Sequence, residues 1–113
     1  MKNEAPVPGT KVRGSSTGRP LNAAFDLLGR RGVLRILWEL REGRALTFRA
    51  LQAVCELSPA TLNTRLRELR DAGLIDAQSG YRLTPLASEL QDALGPLHTW
   101  AATWAKRHGR PRK

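Results

Sequence analysis

Between Ser58 and Leu74 the chain carries a helix start, an apolar stripe and a helix stop in one run, and few folds accommodate it. Ser58 can accept hydrogen bonds from amides that have no partner in the first helical turn, and Pro59 suits the first helical position. Leu57 and Leu62 occupy the two positions of a hydrophobic staple. At about 100° per residue from Leu62, Leu66 and Leu69 fall near +40° and −20°, a narrow stripe. Gly73 supplies the left-handed residue that ends such a helix, with Leu74 placed to touch Leu69. The result is a helix over 58–72, anchored along one side only.

The segments before it are also helical and short. Leu21, Ala24, Phe25 and Leu28 recur at helical spacing up to Gly29. A second helix, from Val33 through Leu40, is apolar over most of its circumference and should lie centrally, ending at Glu42-Gly43. Thr47 is the cap of a third, with Phe48, Leu51, Val54 and Cys55 on its stripe. After the Ser58 helix, Leu74–Ala77 and Tyr81–Leu83 read as strands around Gln78-Ser79-Gly80, a small hairpin. Thr84-Pro85 starts a last helix, which Gly95-Pro96 should kink or break before Leu97, Trp100 and Trp104. The fold class is mainly α with one β-hairpin, in the order H-H-H-H-E-E-H. Two short helices joined by a tight turn, then a hairpin, make a winged helix-turn-helix.

Charge distribution sharpens this. The 113 residues carry a net +9. Residues 1–20 hold +3 and residues 106–113 hold +5, whereas ten arginines against nine acids leave 21–105 at +1. Three regions are therefore expected: a Pro/Gly/Ser-rich basic arm over 1–20, disordered or ordered only on binding; a domain over 21–105; and a basic tail over 106–113. Basic tails attract any polyanion in a salt-sensitive way. No apolar run is long enough to span a membrane, and no signal-peptide pattern opens the chain, so a cytoplasmic protein without membrane contact is expected. A single cysteine, Cys55, excludes an internal disulfide and a multi-cysteine metal site. It lies on the core side of its helix, where a thiol usually acts as a small hydrophobe. His98 and His108 have no third ligand type beside them, so neither a metal nor another cofactor is expected. No nucleophile sits beside a base, and no paired carboxylates or phosphate-cradling glycine loop occur, so an enzyme is not expected.

Opposite the leucines, the 58–72 helix presents Ala60, Thr64, Arg67 and Asp71, flanked by Thr61 and Asn63. Ala60, Thr61, Asn63, Thr64 and Arg67 form a set suited to base edges in a major groove. Thr and Asn can hydrogen-bond base edges, Ala permits close approach, and Arg can pair bidentately with guanine. Ser58 opens the helix, whose first amides suit a phosphate. Arg65 and Arg70 flank the apolar stripe and suit phosphate contact or pairing within the chain. Arg82 is the one charge a wing could use. The bland alternative is a solvated face on a core helix. Leu21, Phe25, Leu97, Trp100 and Trp104 are the candidate interface of a symmetric dimer, since so small a domain has little else to cover two tryptophans.

From Pro20 to about Trp104 the chain resembles the HxlR-type winged-helix regulators, a branch near the MarR-like proteins. The resemblance is carried by AFDLLG at 24–29, VLRILWELREG at 33–43, FRALQ at 48–52, LSPATLNTRLRELRDAGLI at 57–75 and YRLTPLASEL at 81–90. It implies a homodimeric regulator that binds double-stranded DNA near promoters; a repressor is expected over an activator, because a small dimer without an activation segment acts most simply by blocking. Arg19-Pro20 stands where many members have Cys-Pro, so the cysteine some of them use for redox sensing is missing. Gly29-Arg30-Arg31-Gly32 replaces the family's Gly-Gly-Lys-Trp and keeps its positive charge, which assigns Arg30 and Arg31 to backbone phosphates. Regulators of this wider kind also take small-molecule effectors, for which Trp38, Trp100 and Leu97 offer an apolar lining. The rival function is a winged-helix protein-interaction module whose tails bind polyanions without sequence preference.

Overall fold

A computed structural model describes residues 5–109. Lys2, Glu4, Arg110, Arg112 and Lys113, which the charge reading assigned to the two tails, lie outside the described residues. The order of elements is α1 (Pro20–Leu28), α2 (Val33–Glu39), a 3-10 turn (Arg41–Gly43), α3 (Phe48–Cys55), α4 (Pro59–Asp71), β1 (Ile75–Asp76), β2 (Arg82–Leu83) and α5 (Pro85–His108). Each expected cap is present. Thr47 Oγ1 accepts from the Ala50 amide at 3.0 Å, Ser58 Oγ from Thr61 at 3.1 Å, and Thr84 Oγ1 from Ala87 at 3.3 Å.

The core is a cluster in which Val33, Ile36, Leu37 and Leu40 of α2 and its C-terminal end meet Leu51 of α3 and Leu62, Leu66 and Leu69 of α4. Leu74, Ile75 and Ala87 close it on the hairpin side. The end of α4 takes the double hydrogen-bond form that a left-handed glycine permits. Gly73, at φ +82°, donates to the Arg70 carbonyl, and Leu74 donates to the Leu69 carbonyl at 2.9 Å. That turn sends the chain into an antiparallel hairpin with Ile75 opposite Leu83 and Asp76 opposite Arg82. Leu46 and Tyr81 exchange backbone hydrogen bonds at 3.0 and 2.8 Å, so the α2–α3 connection adds a third, one-residue rung.

Four sequence expectations are modified. Helix α2 ends at Glu39 because Glu42 takes a left-handed conformation, φ 60°, within the 3-10 turn. It is also less central than its composition suggests, since Leu34 and Trp38 are exposed. Helix α5 runs unbroken through Gly95-Pro96 to His108. Pro96 removes one amide donor, but Asp92, four residues earlier, lies on an exposed turn, so water can reach the freed carbonyl. Lys106, Arg107 and His108 thus belong to the last turn of α5, where cations complement the helix dipole, rather than to a tail.

The fourth concerns the arm. Residues 5–19, expected to be disordered, form a turn in which Val12 and Ser15 exchange backbone hydrogen bonds at 3.0 Å and Gly9 donates to Gly18. Ala5, Pro6, Val12 and Gly18 are buried. Asp26 of α1 holds the turn by accepting from the Arg13 amide at 3.0 Å. Composition missed this because the buried residues are small or scattered and the tie to α1 is a backbone donor, which no hydrophobic periodicity reveals. Gly18, at φ +77°, packs so closely that a Cβ there would collide with the Thr10 backbone. Gly18→Ala should therefore release the arm without melting the core. Limited trypsin digestion should cut after Lys11 and Arg13 faster in the variant, while its urea midpoint stays near that of the parent.

Candidate nucleic-acid interface

Helix α4 is held from behind. Leu62 and Leu69 are fully buried and Leu66 nearly so. Ala60, Asn63, Arg67, Arg70 and Asp71 are exposed, and Thr64 is half-buried at the edge of the same face. Of the five residues that the sequence analysis assigned to base edges, Ala60, Asn63 and Arg67 are open to solvent, and Thr61 and Thr64 are partly covered. Thr61 is partly committed: its hydroxyl accepts from Ser58 Oγ at 3.1 Å while its amide donates to the same oxygen. Ser58 is exposed, and its cap leaves the first turn of α4 open to solvent.

The arginines expected at phosphates divide into two groups. Glu68, 2% exposed, is the buried charged residue of the described core, and the sequence reading did not single it out. Its carboxylate accepts from Arg30 Nη1 at 2.8 Å through one oxygen and from Arg65 Nη1 at 3.1 Å through the other. Arg30 also reaches Asp26 at 3.4 Å, and Arg65 Nε donates to the Arg31 carbonyl at 2.9 Å. Arg30 and Arg65 are therefore engaged within the chain, fastening the α1–α2 turn to α4. Arg31, Arg67, Arg70 and Arg82 are exposed and have no ion-pair partner among the described residues. The signal that could have exposed Glu68 is its position one residue before Leu69, on a helix otherwise rich in arginine.

The hairpin tip, Gln78-Ser79, is exposed, and Arg82 projects from β2. The rest of the candidate interface with a second copy is open. Leu21 and Phe25 lie on α1, whose buried face is Ala23 and Leu27. Every described residue from Gly95 onward is exposed, with Trp100 stacked on Trp104 at 5.2 Å between ring centroids. The inner half of α5 is fastened instead: Ala87 is buried and Gln91 Nε2 donates to the Leu37 carbonyl at 2.8 Å.

Trp38 frames a pocket of about 170 Å³ with Arg41, Gln91 and His98, and Arg41 lies 3.8 Å over its ring. Leu97 and Trp100, expected beside Trp38, do not line it. A larger, mostly apolar groove of about 390 Å³ lies between the arm, α1 and α5, bordered by Val7, Leu27, Leu28, Leu74 and Leu90. Cys55 is buried, and burial, with Glu39 nearby, pushes its thiol pKa up, which disfavours the reactive thiolate. Among the described residues no helix is long and apolar enough to cross a membrane.

Known proteins share this layout. Residues 30–78 match the family model of a helix-turn-helix domain. The chain is 33% identical over 86 residues to an uncharacterised HTH-type transcriptional regulator of Methanocaldococcus jannaschii, an alignment covering 71% of this chain and 80% of that protein. It is 29% identical over 96 residues to another such regulator, from Synechocystis, covering 78% and 71%. The crystal structure of quinone-bound YodB from B. subtilis superposes with a TM-score of 0.69 at 28% identity, covering 74% of this chain and 96% of YodB.

The Glu68 cluster yields a test. Glu68→Gln keeps the shape but removes the charge facing two guanidiniums. It should cost about 1–3 kcal/mol, the range for stranding buried hydrogen-bonded partners, read as a lower urea midpoint. An unchanged midpoint would mean that the leucine stripe alone holds α4.

Proposed function

The chain belongs to the helix-turn-helix-type transcriptional regulators, proteins that are not enzymes, and from that premise we propose a homodimeric, sequence-specific repressor of the HxlR type. Helix α4 lies in the major groove of a palindromic operator. The observation that carries this reading is the uncovered polar side of a helix whose other side is locked into the core.

Asn63, Thr64 and Arg67 read base edges, with Ala60 allowing close approach and Thr61 contributing through what its cap contact leaves free. Ser58, Arg31, Arg70 and Arg82 meet the backbone. Arg30 and Arg65 act one step back, holding the turn and the helix in register through Glu68. Asp71 limits how deeply the C-terminal end of α4 enters, since it repels phosphate. A second copy covers Leu21, Phe25, Leu97, Trp100 and Trp104, setting two α4 helices about one DNA turn, ~34 Å, apart. A dimer seated on an operator acts most simply by blocking a promoter. The quinone in YodB supports a small apolar effector for this chain too, and the groove of about 390 Å³ has the lining to receive one.

Selection of bound duplexes from a random pool tests the reading. It should return a palindrome, and Thr64→Ala with Arg67→Ala should flatten that preference, each good bidentate pair being worth about 1–3 kcal/mol of discrimination. A protein-interaction module with polyanion-binding tails would instead return no consensus, and its binding would fall steeply with salt.

Trp100→Glu should convert the dimer to monomer in sedimentation velocity and weaken palindrome binding far more than half-site binding. A variant that still sediments as a dimer would place the interface elsewhere.

A further inference from the structure

Beside α4 lies a polar cleft of about 520 Å³, bordered by Arg13, Asp26, Gly29, Arg30, Arg31, Thr64, Arg65 and Glu68. Four arginines and two acids line it, a formal surplus of two positive charges. Both carboxylates are spoken for: Asp26 holds Arg30 and the Arg13 amide, and Glu68 holds Arg30 and Arg65. The surplus charge therefore resides on Arg13 and Arg31, which are exposed and have no ion-pair partner among the described residues.

The two come from separate segments, and each backbone is fixed. The Arg13 amide is bonded to Asp26, and the Arg31 carbonyl accepts from Arg65. Thr64 lines the same cleft and sits at the edge of the exposed face of α4, so the cleft adjoins the proposed base-reading surface.

We infer that this cleft is a seat for a DNA backbone phosphate, in which Arg13 of the folded N-terminal arm and Arg31 of the α1–α2 turn supply the positive charge and Asp26, Arg30, Glu68 and Arg65 hold the walls. The inference rests on the DNA-binding reading and deepens it. It assigns the arm a fixed place in the complex, in contrast to a loose basic tail that attracts polyanions anywhere. The two guanidiniums spring from fixed backbone positions, and each can offer paired donors to the oxygens of a phosphate. The contact carries no sequence information; it sets the register in which α4 meets the bases.

Salt titrations of duplex binding test it, with a random-sequence duplex and the selected palindrome as probes. Arg13→Ala and Arg31→Ala should each lower the slope of log affinity against log salt by about 0.9, and the double variant by about twice that. Each should weaken both duplexes by the same factor and leave the sequence preference intact. Arg107→Ala, outside the cleft, is the charge-matched control and should change the slope less. Gly18→Ala, which frees the arm, should reproduce the Arg13→Ala loss while keeping every charge. Slopes unchanged in Arg13→Ala and Arg31→Ala, or changed equally by Arg107→Ala, would overturn the seat even if sequence preference persists. A parent protein that binds both duplexes equally, with the two slope changes still present in the variants, would instead overturn the base-reading role of α4 and leave the seat standing. A parent protein that binds neither duplex would overturn both.

Discussion

Everything else in the molecule depends on the leucine stripe of α4. Leu62, Leu66 and Leu69 bury against Ile36, Leu37, Leu40 and Leu51, and removing such side chains from water contributes about 1.5–3 kcal/mol each. Because the stripe is narrow, the opposite side of the helix needs no partner inside the chain. A wider stripe would have buried Asn63 or Arg67. A weaker one would have left α4 free to roll and its polar side chains without a defined direction. Anchoring on one side and vacancy on the other are two results of the same spacing.

Around that anchor, electrostatics does a different job from the one net charge suggests. Several arginines in the domain are occupied with local acids: Arg35 and Arg44 with Glu39, Arg30 with Asp26 and Glu68, Arg65 with Glu68. Exposed pairs such as Arg35–Glu39 contribute little to stability. The Glu68 pairs differ because the carboxylate is buried, so its two hydrogen bonds set geometry as well as offset the cost of desolvation. Among the described residues, the arginines of α4 that face solvent, Arg31 of the α1–α2 turn, Arg13 of the arm and Arg82 of β2 have no ion-pair partner, as is also true of Arg49 on α3 and of Lys106 and Arg107 at the end of α5. In a near-neutral domain, Arg13 and Arg31 thereby leave unpaired charge at the cleft beside α4.

Much of this was legible in the amino acids. The caps at Thr47, Ser58 and Thr84, the glycine stop at Gly73, the hairpin and the helix order are local events, governed by side chains within a turn of one another. The exposed set on α4 was legible for the same reason, as helical geometry places it once the leucines are placed. Non-local matters were not. Burial of Glu68 depends on Arg30, far away in sequence. Docking of the arm depends on Asp26 receiving a backbone amide, a contact that any residue but proline could make at position 13. Pro96 was read as a break from its own chemistry, yet the exposed helix around it tolerates one missing hydrogen bond.

Local chemistry in the sequence determined where helices begin and end, which face of α4 is apolar, and that a hairpin follows it, because each follows from neighbours three or four residues apart. Tertiary structure alone decided which arginines are free. That outcome depends on which carboxylates the folded chain brings within hydrogen-bonding distance, and a guanidinium already holding a buried acid is no longer available to a phosphate. It also decided that the first segment is part of the domain, since the Arg13 amide finds its acceptor only when Asp26 of α1 is there to receive it.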